Sequence, residues 1–342
     1  MSEEEPGRDA INEEVRARRA LSGEDHARDA LIGTAGRRRR RRGERPVVPE
    51  PEFTSYYGRP VLKPPVWKAL DIAGYLFLGG LAGASSVLAA GAEVTGRPRL
   101  ARGTRIGAAG AIAVGLVALV HDLGRPGRFV NMLRVLKWTS PMSAGSWLLS
   151  AYAPAAGAAA VSAVTDRLPR IGTAGAMAAA VAGPGVAAYT GVLLADTAVP
   201  GWHEGHRELP YLFVSSAAAA GGGLGLLVAP LEEAAPARRL GVTGGAAELL
   251  IARFMRARMG VVAEAYHVGR AGVLTRAAEA LTGAGVLAAA VGWRNRWVSA
   301  AAGAALLAGS ALTRFGVFEA GMISSSDPKY TVLPQRERLS AR

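Results

Sequence analysis

The feature that most constrains this chain is the spacing of its charges. From residue 69 onward, stretches of about twenty residues nearly free of Asp, Glu, Lys and Arg recur, each rich in Ala, Gly, Leu and Val. That is the helical length which crosses the hydrocarbon of a bilayer. Eight such segments can be drawn, over residues 69–91, 104–121, 143–164, 170–195, 211–230, 242–265, 277–292 and 297–318. A soluble single-core enzyme does not fit a 342-residue chain patterned this way. The expected fold is an all-α membrane protein: an eight-helix transmembrane bundle in two four-helix halves, multi-pass in the cell membrane, with a disordered N-terminal tail.

The organisation follows from the same pattern. Residues 1–55 are charged and poor in large apolar side chains, so they bury too little surface to offset ordering entropy. They start on Glu3, Glu4 and Glu5 and lack the basic and apolar regions of a signal peptide. Residues 56–230 hold the first five segments, 231–320 the rest, and 321–342 a C-terminal tail. The sixth segment is the weakest, because Glu248, Arg253, Arg256, Arg258 and Glu264 are expensive in hydrocarbon unless paired or facing a cavity. An interfacial amphipathic helix is the competing reading there. Small residues fill the others: Gly79, Gly80 and Gly83, then Gly107, Gly110 and Gly115, then Gly221 to Gly223 and Gly225. In lipid no hydrophobic force draws helices together, so close backbone approach must do it, and small side chains permit that. Gly183-Pro184-Gly185, inside the fourth segment, predicts a kink.

The net charge of +13 resides outside the tail, whose twelve basic and twelve acidic residues in positions 1–52 cancel. Lys and Arg therefore concentrate in the connections, where they meet anionic headgroups. Membrane lipid is the implied partner, and nucleic acid is not, although Arg37 to Arg42 form a basic run. The short connections and that run favour opposite orientations, so orientation stays open. With no Cys, the chain cannot ligate an iron–sulfur cluster, form a thiolate metal site or attach a haem by thioethers.

The most informative stretch follows the second segment: His121-Asp122-Leu123-Gly124-Arg125-Pro126-Gly127-Arg128-Phe129, then Asn131-Met132-Leu133 and Thr139-Ser140-Pro141-Met142-Ser143. Gly124 and Pro126 end the helix. Phe129, Met132, Leu133 and Leu136 then recur at helical spacing, predicting a short amphipathic helix at the interface. Ser140 and Pro141 suit the N-cap and first turn of the third segment. These residues closely resemble the NrfD/PsrC family, the integral membrane subunits of polysulfide-reductase-type and related molybdenum oxidoreductase complexes. Tyr75 to Gly83 in the first segment, Tyr189-Thr190-Gly191 in the fourth and the segment count agree with it.

The resemblance implies a subunit without a redox centre of its own. It would hold no metal, haem or iron–sulfur cluster, and would exchange menaquinone or ubiquinone near one membrane face. A ferredoxin-like iron–sulfur subunit would dock there, with a molybdopterin-type catalytic subunit beyond, serving electron transport in anaerobic respiration. Whether the chain itself is catalytic is left open. The family's quinone pocket uses polar residues on the first helix and a Tyr on the fourth, which here is Tyr189. The Asn and His that some members carry on the first helix are absent.

Quinone chemistry needs hydrogen-bond donors for two carbonyl oxygens and groups that pass protons to water. Alternating helix direction brings Asp71, His121, Asp122, Tyr189 and Asp196 to one face. His121 and Asp122 are candidates for proton transfer, and Tyr189, Asp71, Tyr75 and Asp196 for quinone binding. Arg125, Arg128, Arg134 and Lys137 are candidates for docking the partner. Each has a structural alternative: Tyr189 an interfacial anchor, Asp122 a cap of the exit turn or a partner of Arg125, His121 bonded to a carbonyl, Asp71 paired with Lys68, Asp196 exposed in a loop. His203 and His206 share metal-ligand spacing, yet no third ligand stands near in sequence, and a polar loop is favoured. Two other functions compete: a b-type cytochrome anchor, which needs facing pairs of buried His, and a secondary transporter, suggested by the Gly-Pro-Gly break and internal charges.

Overall fold

The structure, a computed structural model, describes residues 60–340 apart from Arg125, Pro126 and Trp293. The tail expected to be disordered lies outside the described residues. Where hydrocarbon offers no water to bond the backbone, a segment must satisfy its own N–H and C=O groups, and the α-helix does so. In order come α1 (Ala69–Val94), α2 (Pro98–Asp122), a short α3 (Gly127–Met132), α4 (Pro141–Thr165), α5 (Pro169–Ala195), a one-turn α6 (Pro200–His203), α7 (Leu209–Val228) and α8 (Ala235–Arg258). A 3₁₀ segment (Gly260–Tyr266), α9 (Gly269–Val291), α10 (Arg296–Ser326) and α11 (Lys329–Ser340) follow. Residues after 320, read from sequence as a tail, are therefore largely helical.

Proline sets several of the starts. Pro98, Pro141, Pro169, Pro200, Pro210 and Pro236 each sit in a first turn, where the missing N–H has no intrahelical partner to lose. Glycine sets the sharpest stop. Gly96 takes φ +68° after α1, letting Arg97 N–H reach back to Ala92 C=O at 2.8 Å and Gly96 N–H to Glu93 C=O at 3.1 Å. Ser140 is extended, as an N-cap should be, but its side chain makes no capping bond.

Seven helices, α1, α2, α4, α5, α7, α9 and α10, are long and apolar enough to cross a membrane. The weakest predicted segment, 242–265, is displaced: its helix runs Ala235–Arg258 and ends in the 3₁₀ turn, because Gly260 at φ +56° breaks it. This α8 falls outside the seven, yet it lies antiparallel along α7. Gly222 meets Gly241, Gly244 meets Ala218 and Ala219, and Ser216 bonds Glu248.

The first four long helices, α1, α2, α4 and α5, pack on one another, and α7, α8, α9 and α10 do the same; α1 and α5 meet α7 at the seam, and α10 also touches α1. Glycines make the tightest crossings. Gly83 of α1 and Gly183 of α5 touch backbone to backbone, each leaving no room for a Cβ on the other. Gly223 and Gly303 do likewise between α7 and α10. Helix α5 runs unbroken through Gly183-Pro184-Gly185, so the first glycine of that motif serves a crossing. Between α1 and α4, the buried hydroxyls of Ser86 and Tyr152 bond at 2.8 Å.

One turn of chain wedges the halves together. Trp202 of α6 is fully buried, donates Nε1–H to Val317 C=O at 2.8 Å and stacks on Trp67, ring centroids 5.7 Å apart. Beside it Gly201 N–H donates to Ser324 Oγ at 2.9 Å, and Tyr266 O–H donates to Gly201 C=O at 2.7 Å. Trp202→Ala should therefore cost about 3–5 kcal/mol, read as a lower melting temperature of the protein in detergent. Trp297→Ala, at an exposed position on α10, should leave that temperature nearly unchanged.

Candidate functional site

The site is built where α1 begins and α2 ends. Asp71 sits in the first turn of α1, where an acid is favoured by the helix dipole, and its side chain is 12% exposed. The last turn of α2 brings His121 beside it, Nδ1 to Oδ2 at 2.8 Å. The imidazole is 64% exposed, so Asp71 holds one ring nitrogen while the rest of the ring faces outward. Asp122, next in the chain, accepts the backbone N–H of Lys68 at 3.4 Å and so caps the start of α1. Asp71 thus pairs with His121 where Lys68 was the structural alternative, and Asp122 bonds the entry of α1; its pairing with Arg125 falls outside the described residues.

Tyr75, one turn into α1, is fully buried against Gly115 of α2, and its hydroxyl has no hydrogen-bond partner among the described residues. An antiparallel register carries α5 into the same end of the bundle: Gly83 meets Gly183, Gly79 meets Val186, and Tyr189 follows one turn later. Its ring lies against α4 at Gly145, where a Cβ would overlap it. Asp196, by contrast, is the exposed C-cap of α5, with φ −80° and ψ 64°.

The connection between α2 and α4 departs from expectation. A helix predicted through Leu136 stops at Met132, because the Ser143 hydroxyl donates to Val135 C=O at 2.9 Å and accepts Lys137 N–H at 3.0 Å, holding a turn. Val130, Val135, Leu136 and Trp138 stay exposed, interleaved with exposed Arg128, Arg134 and Lys137. Arg128 also donates to Leu123 C=O at 2.9 Å, closing the end of α2. Arg125 lies outside the described residues. His203 and His206 stack with centroids 5.5 Å apart, and among the described residues no three potential ligands gather around a metal position.

Residues 60–323 match the family described as polysulphide reductase, NrfD. The chain belongs to the NrfD family. It is a multi-pass integral membrane protein, and its helices suit the membrane subunit of a reductase complex. A comparison with curated proteins gave no match. Within this NrfD chain the matched span holds Asp71, Tyr75, His121 and Tyr189, together with Gly145.

Sequence reasoning missed several buried polar groups, among them Tyr152, Ser216, Ser310 and Arg314, and the half-buried Thr313. For Arg314 the signal was present: a lone cation well inside the last apolar segment, which the cost of burying charge in lipid marks for attention. Gly145→Ala should push the Tyr189 ring off α4 at a cost of about 1–3 kcal/mol. The effect would register as a lower melting temperature and faster nitration of Tyr189 by mass spectrometry. Gly157→Ala on the same helix, with open space around it, should change neither.

Proposed function

We propose that this NrfD protein is the quinone-reactive membrane subunit of a respiratory oxidoreductase complex, passing electrons between a docked iron–sulfur subunit and membrane quinone. The observation that carries the reading is the Asp71–His121 pair, 2.8 Å apart at the end of the bundle that also holds Tyr75 and Tyr189. We read α8 as an eighth crossing alongside α7.

Quinone and quinol interconvert by two electrons and two protons, so a site needs donors to two oxygens and a route for protons. His121 suits both tasks. With Nδ1–H donated to Asp71, the neutral ring offers Nε2 as an acceptor for a quinol proton, and the protonated ring offers Nε2–H to a quinone oxygen. Asp71 keeps the ring oriented and offsets its positive charge while the proton is held. Tyr189 O–H suits the second oxygen, and Tyr75 O–H, buried and unpartnered among the described residues, lies at similar depth on α1. Asp122 lies beside His121 at the exit of α2 and suits onward transfer to water.

The exposed connection between α2 and α4, with Arg128, Arg134 and Lys137, is the docking face in this reading. A molybdopterin-type subunit completes the proposed complex. A b-type cytochrome anchor is less well supported, because His121, His203, His206 and His267 are all exposed, and that role needs buried axial pairs.

The test is quinone-linked turnover of the whole complex in vesicles. His121→Asn should lower it by about 10²-fold or more, the range for a lost proton-transfer group. Tyr189→Phe should lower it by about 3- to 10-fold, the worth of one hydrogen bond. Both should leave subunit stoichiometry intact. Full turnover in both variants would remove this corner from quinone chemistry.

A further inference from the structure

A second polar centre lies in the other half of the bundle and belongs to none of the chemistry above. Glu248 of α8 is 2% exposed, ten residues or about 15 Å along the helix from Arg258. Its two oxygens differ in kind. Oε1 accepts from Ser216 Oγ at 2.8 Å and Thr313 Oγ1 at 2.6 Å, whereas Oε2 is buried with no partner among the described residues. Ser216 also bonds Ser310, Oγ to Oγ at 2.9 Å. One turn beyond Ser310, Arg314 is fully buried, donates to Phe213 C=O at 2.7 Å and lies 4.0 Å over the Phe213 ring. No direct ion pair joins it to Glu248.

Beside the carboxyl is a cavity. Glu248, Thr282 and Thr313 line one end of it, and Met255, Arg256 and Tyr266 the other, two turns further along α8. The cavity has a volume of about 30 Å³, room for about two waters at roughly 10–15 Å³ each. Its walls are mainly apolar, but Glu248, Thr282 and Thr313 give a water at that end polar groups to bond, among them the unpartnered carboxylate oxygen. At the mouth, Arg256 is paired with Glu279, whose side chain is 38% exposed.

We propose that Glu248 is a proton-exchange site, loaded and unloaded at Oε2 through water in this cavity. A hydrated proton gives H⁺ to the carboxylate and leaves water, and the reverse step returns it; no other reactant is needed. The arrangement supports both states. As an anion, Glu248 is held by two hydroxyl donors and by the nearby charge of Arg314. As an acid, it keeps those two bonds on Oε1 and carries the proton on Oε2, which then finds a water acceptor. The charged or titratable groups facing it are Arg314 from α10, Arg256 of its own helix, Glu279 from α9 and Tyr266 from the 3₁₀ segment; α7 contributes Ser216 and Leu212, which do not titrate. A carboxyl serving only as a hydrogen-bonded cross-link would stay in one state.

Infrared spectroscopy of the full chain in lipid vesicles tests this directly, independent of turnover. The native protein should show a carboxylic C=O band that fades as pH rises and shifts when D₂O replaces H₂O. Glu248→Gln should remove that band and keep the fold, because an amide oxygen still accepts from Ser216 and Thr313. Ala252→Leu, which extends a side chain into the cavity, should retain the band but slow its deuterium shift severalfold. Identical pH-difference spectra for the native protein and Glu248→Gln would overturn the assignment. An unchanged deuterium shift in Ala252→Leu would overturn the cavity as the route.

Discussion

Backbone contact between glycine-bearing helices is the constraint on which the rest depends. In lipid, apolar side chains gain nothing by leaving their surroundings, so helices adhere through dispersion and close fit. At the crossing of α1 and α5 the fit is complete, since Gly83 and Gly183 present bare backbone to each other. That single contact fixes the register of the two helices. Counting outward from it along both, Tyr75 and Tyr189 come to similar depth and Asp71 falls at the end, beside His121. A register slip of one turn at the crossing would separate the polar groups without disturbing either helix.

The polar groups obey the opposite logic. A buried hydroxyl or charge in lipid costs several kcal/mol without a partner, so each one the fold retains must be satisfied or serve some purpose. Most are satisfied locally: Ser215, Thr190 and Thr104 return their hydroxyls to carbonyls one turn back. A few reach across helices, as Tyr152 does to Ser86 and Trp202 to Val317. The exceptions stand out against that order. Tyr75, Ser85, Glu248, Thr282, Ser299 and Arg314 are among those with a buried polar atom unpartnered among the described residues, and Tyr75 and Glu248 lie at the two centres to which chemistry is assigned above.

Much of this was legible in the chain, for physical reasons that also explain the failures. Hydrocarbon imposes a length and a ban on charge, so the apolar segments announce themselves, and alternating direction alone brings His121 to Asp71. The sixth segment misled because Arg256 and Arg258 look like charges inside a span. In the fold they gather at the end of α8 and pair with Glu279 and Glu208. Phe129 to Leu136 had helical spacing, but a hydroxyl bond from Ser143 outweighed the weak helix preference of so short a segment. Asp196 was placed on the correct end of α5 and proved exposed, since sequence spacing gives depth and not direction at a helix terminus. Trp202 and Ser310 could not be found at all. Their partners lie about a hundred residues away, and nothing local marks them.

The two centres meet at one helix. Arg314 reaches out of the second half to α1, where its Nη2 would stand 3.4 Å from a Cβ at Gly80. Gly80 thus has a reason beyond packing: its missing side chain gives a buried guanidinium somewhere to lie. The same helix carries Asp71 and Tyr75 one to three turns nearer its start. Helix α1 therefore meets bare backbone of α5 at Gly83 and a buried guanidinium at Gly80, on the same helix that positions the Asp71–His121 pair. In the reading of Glu248 as a proton-exchange site, loading and unloading that carboxyl would alter the charge near a cation seated directly on this helix.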